Sequence, residues 1–73
     1  MANYEVKTEV SGSVWKIVTE VGQKIEAGET LMIIESMKME IPVICEQGGV
    51  VQKFLVEEAM PVNEGQAVAV LSK

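Results

Sequence analysis

The sequence contains an internal repeat. Displacing it by 37 positions lays residues 2–36 over residues 39–73 without an insertion, and seven of the 35 aligned pairs are identical. The identical pairs are Val6/Val43, Glu9/Glu46, Gly12/Gly49, Val14/Val51, Lys16/Lys53, Glu20/Glu57 and Gly28/Gly65. Apolar character is also kept at Ile17/Phe54, Val18/Leu55, Ile25/Val62, Leu31/Val68, Ile33/Val70 and Ile34/Leu71. Halves with the same spacing of apolar and glycine residues are expected to fold alike and pack together, which leaves few architectures open.

The composition predicts strands. The chain contains twelve valines and six isoleucines, which favour strands because branching at Cβ suits a pleated sheet. Near the start, Tyr4, Val6 and Val10 form the apolar face of an alternating pattern. Turn-forming residues recur at short intervals: Ser11-Gly12, Gly22, Gly28, Gly48-Gly49 and Gly65. Short strands separated by regular turns indicate an all-β sandwich or barrel.

The segment ETLMIIESMKME, residues 29–40, is ambiguous by itself because its residues also tolerate a helix. Its counterpart QAVAVLSK, residues 66–73, alternates valine and alanine and is typical of a strand. We therefore predict a strand over residues 30–36. The glycines that precede the two segments, Gly28 and Gly65, are predicted to form turns with positive φ.

Two residues, Met37 and Lys38, separate the copies. If a two-fold axis relates the copies, strand 30–36 and a strand beginning at Met39 are adjacent and antiparallel, joined by a Met37-Lys38 turn. Two-residue hairpin turns favour Asn-Gly or Asp-Gly because both positions need positive φ. A Met-Lys turn is therefore strained, by about 1–3 kcal/mol per unfavourable residue. An unfavourable local choice at an exposed tip indicates a functional demand.

The composition argues against an active site in this chain. There is no histidine and no aspartate, so Cys45 lacks the base of a Cys–His nucleophile. No set of His, Cys and Asp residues is present to bind zinc, and there is no Walker-type phosphate loop.

Charge and cysteine content restrict the partners and the compartment. The net charge of −5 arises from six lysines and eleven glutamates without arginine, which disfavours nucleic acid as a partner. No stretch approaches the ~20 apolar residues of a membrane span, and MANYEVKTEV does not resemble a signal peptide. A single cysteine, Cys45, excludes an internal disulfide. A reducing, cytoplasmic location is therefore expected.

Lys38 has an ordinary and a functional interpretation. Most lysines are solvated surface residues and most methionines fill cores, but neither role suits the tip of a two-residue turn. A primary amine on a four-carbon stem forms an amide with a carboxylic acid, and the product is a long arm that swings between sites. Since an aliphatic amine is almost entirely protonated near pH 7, the modifying enzyme has to remove a proton as well as recognise the lysine.

The segment ESMKMEIPV, residues 35–43, resembles the attachment motif of the biotinyl domains of biotin-dependent carboxylases and decarboxylases. Their motif is Ala-Met-Lys-Met with the central lysine biotinylated; here Ser36 replaces the alanine. The resemblance covers nearly the whole chain, including the repeat and the glycines of EVGQKIEAGETL, residues 20–31. It implies one biotinyl-type domain over residues 1–73, with repeat halves 2–36 and 39–73 and a hairpin tip at 37–38. The implied fold is a flattened barrel of two four-stranded antiparallel sheets.

The resemblance implies a carrier subunit rather than an enzyme, with biotin covalently attached to Lys38. Its implied partners are a biotin protein ligase, a biotin carboxylase that adds CO2 to biotin, and a carboxyltransferase that passes the carboxyl group to an acyl-CoA or keto acid. A monomeric domain is expected.

The same resemblance assigns roles around Lys38. Met37 and Met39 are predicted to contact apolar pockets of the ligase and the carboxylase, because the methionine side chain adapts to irregular surfaces. Weaker candidates for recognition are Glu35, Ser36 and Glu40. Trp15 is expected in the core or on a sheet surface rather than against biotin. If the methionines are not the determinant, recognition is expected on the barrel body around Gly22 and Glu35.

Two departures from the family bear on these expectations. The carrier domain of bacterial acetyl-CoA carboxylase has an additional thumb segment in its first half, and the uninterrupted match of the halves leaves no room for one. The chain therefore resembles thumbless biotinyl domains and also lipoyl domains, which share the fold but usually carry Asp-Lys-Ala at the tip. In the second half, Ala59 stands where the first half has Gly22, followed by Met60-Pro61. This predicts a turn held by proline instead of glycine.

Two alternatives to the biotin carrier remain open at this point. One is a lipoyl carrier on the same lysine, modified by a lipoyl-attaching enzyme and serving an oxidative decarboxylation complex. The other is an unmodified binding module that reuses the barrel. The Met-Lys-Met sequence favours the biotin carrier.

Overall fold

A computed structural model describes residues 3–73. The strands are β1 (Asn3–Lys7), β2 (Gly12–Ile17), β3 (Lys24–Ile25), β4 (Glu29–Ser36), β5 (Met39–Cys45), β6 (Gly49–Phe54), β7 (Pro61–Val62) and β8 (Ala67–Ser72). They form two four-stranded antiparallel sheets: the terminal sheet, in the order β1-β8-β6-β3, and the hairpin sheet, in the order β5-β4-β2-β7. The predicted all-β class and the strand at 30–36 are confirmed. Within residues 3–73 the structure has no helix long and apolar enough to cross a membrane.

The two sheets are related by the 37-residue repeat. Adding 37 to the residue numbers of β1 to β4 converts them, within a residue or two, into β5 to β8, so each sheet takes two strands from each half. The irregularities repeat as well, because an extra residue forms a bulge at Trp15 in β2 and at Gln52 in β6. Since the strands of the halves alternate between sheets, neither half forms a complete sheet by itself.

The core lies between the sheets and is filled from both halves. The fully buried residues Leu31, Met32 and Ile34 of β4 have Val68, Ala69 and Leu71 of β8 as their counterparts. The rest of the buried apolar cluster consists of Val6, Val14, Ile25, Val43, Cys45, Val51, Val56 and Val62. Within residues 3–73, no buried side-chain nitrogen or oxygen lacks a hydrogen-bond partner. The core is therefore mainly apolar, and its buried polar atoms are hydrogen-bonded. Such a core suits a small domain, whose net stability is small.

The first predicted strand is shorter than its apolar pattern suggests. Tyr4, Val6 and Val10 all pack on or in the core, but β1 ends at Lys7. The buried Thr8 accounts for this, because its hydroxyl donates to the Val10 carbonyl (3.0 Å) and accepts from the Val10 N–H (3.2 Å). A threonine side chain that bonds the backbone two residues on replaces strand pairing with a local bend.

The turns follow the repeat, with one correction. Gly28 and Gly65 have φ values of +93° and +83°, which confirms the predicted turns. Ala59 takes φ +71°, close to the +90° of Gly22, and each donates its N–H to a carbonyl of the neighbouring strand at 2.7 Å. The prediction of a turn held by proline is therefore wrong. Alanine itself adopts the left-handed conformation, because the same two backbone bonds are made in both halves.

The two ends of the molecule are distinct. Strand β4 runs from Glu29, paired with Cys45, to Ser36, paired with Met39. Its eight residues span roughly 25 Å at about 3.3 Å per residue. Asn3 pairs with Ser72, and the carbonyl of Ser72 lies against Gly49.

Backbone contacts place residues 3 and 72 at the end of the barrel where Glu29 lies. Gly48, next to Gly49, lies against the backbone of Ile25 and Ala27, two residues before Glu29. The Tyr4 hydroxyl lies 3.2 Å from Sγ of Cys45, the residue paired with Glu29. Residues 3 and 72 therefore lie side by side at the end of the barrel opposite the 37–38 turn.

Candidate functional site: the Met37-Lys38 hairpin tip

The hairpin between β4 and β5 closes with two residues in the left-handed conformation. Ser36 and Met39 form the last pair of the strands, and Met37 and Lys38 between them have φ values of 51° and 64°. Positive φ at both positions is the type I′ geometry, whose twist matches that of the flanking strands. Left-handed backbone costs an L residue roughly 1–2 kcal/mol. The fold therefore imposes a conformation that the residue types themselves disfavour.

The side chains of the tip are exposed to solvent. Met37 is 92% exposed and Met39 is 60% exposed, while Lys38 between them is also exposed. Neither methionine fills the core, which removes the ordinary explanation for apolar residues at these positions. Two adaptable apolar side chains that flank an accessible amine form a surface suited to a complementary pocket.

The remaining predicted site residues lie directly below the turn. Glu35 and Glu40 face each other across β4 and β5, one pair below Ser36 and Met39. Both carboxylates are exposed, and Ser36 is half-buried. Like charges directly opposite each other in a sheet are destabilising. All six predicted residues, 35 to 40, are thus brought together, and the negative charge that surrounds Lys38 is not explained by folding.

Gly12 supports the tip and was not identified as a site residue from the sequence. It begins β2, where a Cβ would lie 2.3 Å from the Glu35 carbonyl oxygen and 3.0 Å from Cγ2 of Ile34. Only glycine permits β2 to approach the hairpin this closely. The identical pair Gly12/Gly49 was the available signal, but it was read as a turn residue.

The barrel beneath the tip is closely packed and hydrogen-bonded. Ile34 and Val14 are almost completely buried, and Val14 exchanges backbone hydrogen bonds with the turn at Ala59 and Met60 (2.7 and 2.8 Å). Gly22 makes the equivalent bond to Val51, at the other end of the molecule. The prediction that Gly22 and Glu35 share a recognition surface is therefore wrong, because the repeat places Ala59, not Gly22, on the side of the tip.

Other candidate residues lie outside the tip. Trp15, 47% exposed, lies on the surface of the hairpin sheet rather than in the core. Cys45 is buried at the opposite end beside Tyr4, and burial together with the Cys45 hydrogen bond raises the pKa of Tyr4 to about 12. Among the described residues no cluster of His, Cys, Asp and Glu has the arrangement of a metal site.

The fold and the tip have counterparts among known proteins. The family model described as "Biotin-requiring enzyme" matches residues 4–71. The chain is 39% identical over 67 residues to the "Biotin/lipoyl attachment protein" of Bacillus subtilis strain 168, covering 92% of each. It is 38% identical over 68 residues to the "Biotinylated protein TB7.3 homolog" of Mycobacterium leprae, covering 93% of this chain and 96% of the relative. The chain belongs to the biotin/lipoyl attachment domain family.

A solved structure shows the same domain as part of a larger protein. The Kluyveromyces lactis urea carboxylase matches with a TM-score of 0.92 and 36% identity, over 99% of this chain and 6% of the carboxylase. The family resemblance drawn from ESMKMEIPV is thereby confirmed, and this attachment domain has the role of a biotin or lipoyl carrier rather than a catalyst. Its tip offers an exposed primary amine on a turn that strand pairing holds in place.

Proposed function

We propose that this attachment domain is a biotin carrier modified on Lys38. The observation that carries the proposal is the Met-Lys-Met sequence at a turn whose positive φ values hold Lys38 at the end of the hairpin. In the attachment step, Nζ of Lys38 bonds to the carboxyl carbon of an activated biotin. The bond to the activating group breaks and that group leaves with the bonding electrons, while the lysine ammonium gives up two protons to bases of the ligase and keeps one as the amide N–H. Because the amide is uncharged, the formal net charge falls by one from −5 to −6.

The residues around Lys38 fit this group. When bound, biotin supplies a ureido nitrogen that carries a carboxyl group. The exposed thioethers of Met37 and Met39 offer apolar contacts to the proteins that act on it, and the left-handed turn directs the lysine away from the barrel. The barrel itself acts as a rigid handle, so that motion is confined to the lysine and what it carries.

Intact mass of the protein purified from its native source tests the proposal. We expect a mass increase of one biotinyl group, located on Lys38 by peptide fragmentation. The matched variant Lys38→Arg keeps the charge but offers a guanidinium, which does not accept an acyl group here, and should remain unmodified. Unmodified native protein, or biotin on any of the other lysines, would contradict the proposal.

A lipoyl carrier is the second candidate, and two observations favour keeping it. The name of the Bacillus subtilis relative includes both groups, and the loops of the two halves match in length, so that no thumb segment sets this domain apart from a lipoyl domain. The same mass measurement separates the two candidates, because the lipoyl and biotinyl groups differ in mass.

The partners follow from the biotin proposal. We propose a biotin protein ligase, a biotin carboxylase and a carboxyltransferase, with this chain acting as a monomeric domain in the cytoplasm. The relation to a urea carboxylase supports a carboxylase partner, and the single free, buried Cys45 suits a reducing compartment. Reconstitution of carboxyl transfer with purified components, with unbiotinylated protein as the control, tests the assignment.

A further inference from the structure

The repeat permits a comparison of two surfaces within one molecule. The outer faces of the hairpin sheet and the terminal sheet have the same strand order, pairing and bulges, so corresponding positions meet the same structural demands. Positions where the faces differ in chemical character are therefore not explained by folding. Such differences indicate that one face has a task that the other lacks.

The rows of residues on the two outer faces correspond one to one. On the hairpin sheet, the row nearest the tip is Glu40, Glu35, Ser13 and Pro61, and the next is Pro42, Ile33 and Lys16 with Trp15 in the bulge. On the terminal sheet the equivalent rows are Asn3, Ser72, Val50 and Lys24, and then Glu5, Val70 and Lys53 with Gln52 in the bulge.

Four positions are polar on the terminal sheet and apolar on the hairpin sheet, whereas Ser13 on the hairpin sheet and its counterpart Val50 on the terminal sheet differ in the opposite sense. The hairpin sheet has Trp15, Pro42, Ile44 and Pro61 where the terminal sheet has Gln52, Glu5, Lys7 and Lys24. All four apolar residues are exposed, Trp15 by 47% and Ile44 by 39%. The terminal sheet shows that this fold accepts polar residues at these positions. An apolar surface that folding does not require is typical of a contact with another protein. We refer to these four residues together with Ile33 as the outer apolar face.

On β4 and β5, the outer apolar face begins two strand pairs below Glu35 and Glu40, at Ile33 and Pro42, and extends toward the opposite end, where Ile44 pairs with Thr30. Ile33 is five positions before Lys38 on the same strand, which places it roughly 16 Å away at about 3.3 Å per residue. A standard protein interface covers about 800 Å² on each partner, so one that includes the tip reaches this face. Glu35 and Glu40 lie between the two.

Geometry and charge distinguish between the proteins that could bind the outer apolar face. The enzyme that attaches the group must bring its own reacting atoms within bonding distance of Lys38 Nζ, so it has to contact the surface around the tip. Proteins that act on the finished arm need not approach as closely. A second copy of the chain is disfavoured, because the net charge of −5 and the paired Glu35 and Glu40 oppose self-association.

We propose that the outer apolar face is the docking surface for the ligase that modifies Lys38. The ligase surface is apolar opposite Trp15 and basic opposite Glu35 and Glu40. This inference rests on the proposed biotin carrier function and adds the surface by which the modifying enzyme recognises the folded domain. Trp15 and Ile44 act here as docking residues and do not take part in the chemistry.

The test exchanges the two faces. The triple variant Trp15→Gln, Pro42→Glu, Ile44→Lys gives the hairpin sheet the residues of the terminal sheet, at positions where the same backbone already accepts them, and leaves the net charge unchanged. The reciprocal variant Gln52→Trp, Glu5→Pro, Lys7→Ile is the matched control. Initial rates of biotin transfer by purified biotin ligase are measured against the concentration of unmodified protein, with the fold verified by circular dichroism.

A loss of docking is expected to raise KM, whereas a loss of chemistry would lower kcat. We expect the hairpin-sheet variant to raise KM about tenfold or more with kcat within about twofold, and the reciprocal variant to change neither constant by more than about twofold. If the triple variant fails to fold, Trp15→Gln and Ile44→Lys are measured singly, each with an expected rise in KM of about threefold. Unchanged KM in the folded hairpin-sheet variants overturns the inference, as does an equal rise in the reciprocal variant.

The contribution of Glu35 and Glu40 to docking is measured separately, through the dependence of KM on salt concentration. Added salt is expected to raise KM for the wild type, and Glu35→Gln with Glu40→Gln should remove most of that rise. If the wild type is not biotinylated at all, the proposed function fails. If the wild type is biotinylated and the hairpin-sheet variant has an unchanged KM for the ligase, only the docking inference fails. The same conclusion holds if that variant keeps its KM for the ligase but no longer takes part in carboxyl transfer with a carboxylase.

Discussion

Backbone torsions place Lys38 at the tip of the hairpin, where it is exposed. Met37 and Lys38 both lie in the left-handed region, where glycine or asparagine would be easier to accommodate. The strain is maintained because seven residues of β4 and seven of β5 are paired on either side of the turn. A local cost of this kind persists only where the surrounding structure determines the conformation.

Exchanging Lys38 and Met39 tests whether position or composition matters. The exchanged protein has the same charge and composition, but its amine lies on β5 instead of at the turn. We expect a folded protein that is not modified, because the ligase requires the amine at the tip. A streptavidin blot and intact mass provide the measurement. Labelling of the exchanged protein at the wild-type rate would show that any lysine in the segment suffices.

The methionines are predicted to determine which group is attached. Met37→Asp with Met39→Ala places a carboxylate where a biotin ligase offers an apolar pocket, and burying a carboxylate without a partner costs several kcal/mol. We expect biotin transfer to fall about tenfold or more, equivalent to about 1.4 kcal/mol, while lipoyl transfer rises or appears. Parallel reactions with purified biotin ligase and lipoyl-attaching enzyme, read by intact mass, give the answer. If the folded double variant accepts biotin at the wild-type rate, the ligase recognises the barrel surface and not the methionines.

The β4–β5 hairpin is held in place by β2, and the contact depends on Gly12. A Cβ at this position would lie 2.3 Å from the Glu35 carbonyl oxygen, so either β2 or the hairpin has to move. The neighbouring atoms are backbone, which cannot rotate away as a flexible side chain does. The tip is consequently sensitive to a residue on a different strand, 26 positions earlier than Lys38 in the sequence.

We predict that Gly12→Ala lowers both stability and the rate of biotin transfer. The overlap is expected to cost about 1–3 kcal/mol of unfolding free energy, measured by urea titration. Gly49→Ala is the matched control, because its Cβ would lie 2.3 Å from the Ser72 carbonyl oxygen and its φ is +131°. It should destabilise at least as much, but at the end away from Lys38. Equal effects of the two variants on transfer by the folded protein would mean that Gly12 does not position the tip.

In the folded domain, Lys38 and the paired residues 3 and 72 lie at opposite ends. The pseudo-two-fold relation turns the Glu35–Glu40 pair below the tip into the Ser72–Asn3 pair at the opposite end. The Glu35–Glu40 pair lies below the turn that carries Lys38, and its counterpart at the other end is formed by residues 3 and 72. The long dimension of the molecule is 36 Å, against 17 Å in the other two directions.

Fusions at either end are therefore expected to leave biotinylation unchanged. A small folded tag attached before residue 3 or after residue 72 extends from the end of the barrel opposite Lys38. Initial rates with purified ligase should agree with those of the untagged protein for each fusion. Loss of modification with tags at both ends, tested one at a time, would contradict the arrangement.

Alkaline pH probes the contact between β1 and the segment after β5. The Tyr4 hydroxyl donates to the Gly48 carbonyl and lies 3.2 Å from Cys45 Sγ. Burial and then Cys45 raise the pKa of Tyr4 from 10.0 to about 12. Because the folded protein holds this proton more tightly than the unfolded chain, the contribution of Tyr4 is complete below about pH 10 and is lost as the pH rises through about 12.

The variant Tyr4→Phe isolates this contribution. We expect the wild type to be more stable than Tyr4→Phe near neutral pH, with a difference that shrinks between about pH 10 and about pH 12. Unfolding free energies from urea titrations at each pH provide the comparison, and a constant difference would show that Tyr4 does not ionise differently in the folded state.

Periodicity and composition predict most of the architecture. The 37-residue repeat, the valines and the recurring glycines pointed to two like halves of short strands, and the two residues left between the halves pointed to the turn at Met37-Lys38. These features are local in sequence, or recur at a constant interval, and so can be read from the chain alone. The resemblance of ESMKMEIPV to an attachment motif then supplied a role for the lysine.

Three features depended on the tertiary structure, because each arises from residues far apart in the sequence. Gly12 supports the tip only because β2 pairs with β4, and a turn residue and a close-contact residue look alike in sequence. Ala59 adopts a glycine conformation because backbone bonds to Val14 require it, against its own preference. The outer apolar face joins Trp15 of β2, Ile33 of β4 and Pro42 of β5, which become neighbours only when the strands align. The repeat, the strands and the turn that carries Lys38 can be recognised in the sequence. The surface around Lys38 depends on strand pairing, because pairing sets which distant side chains share a face.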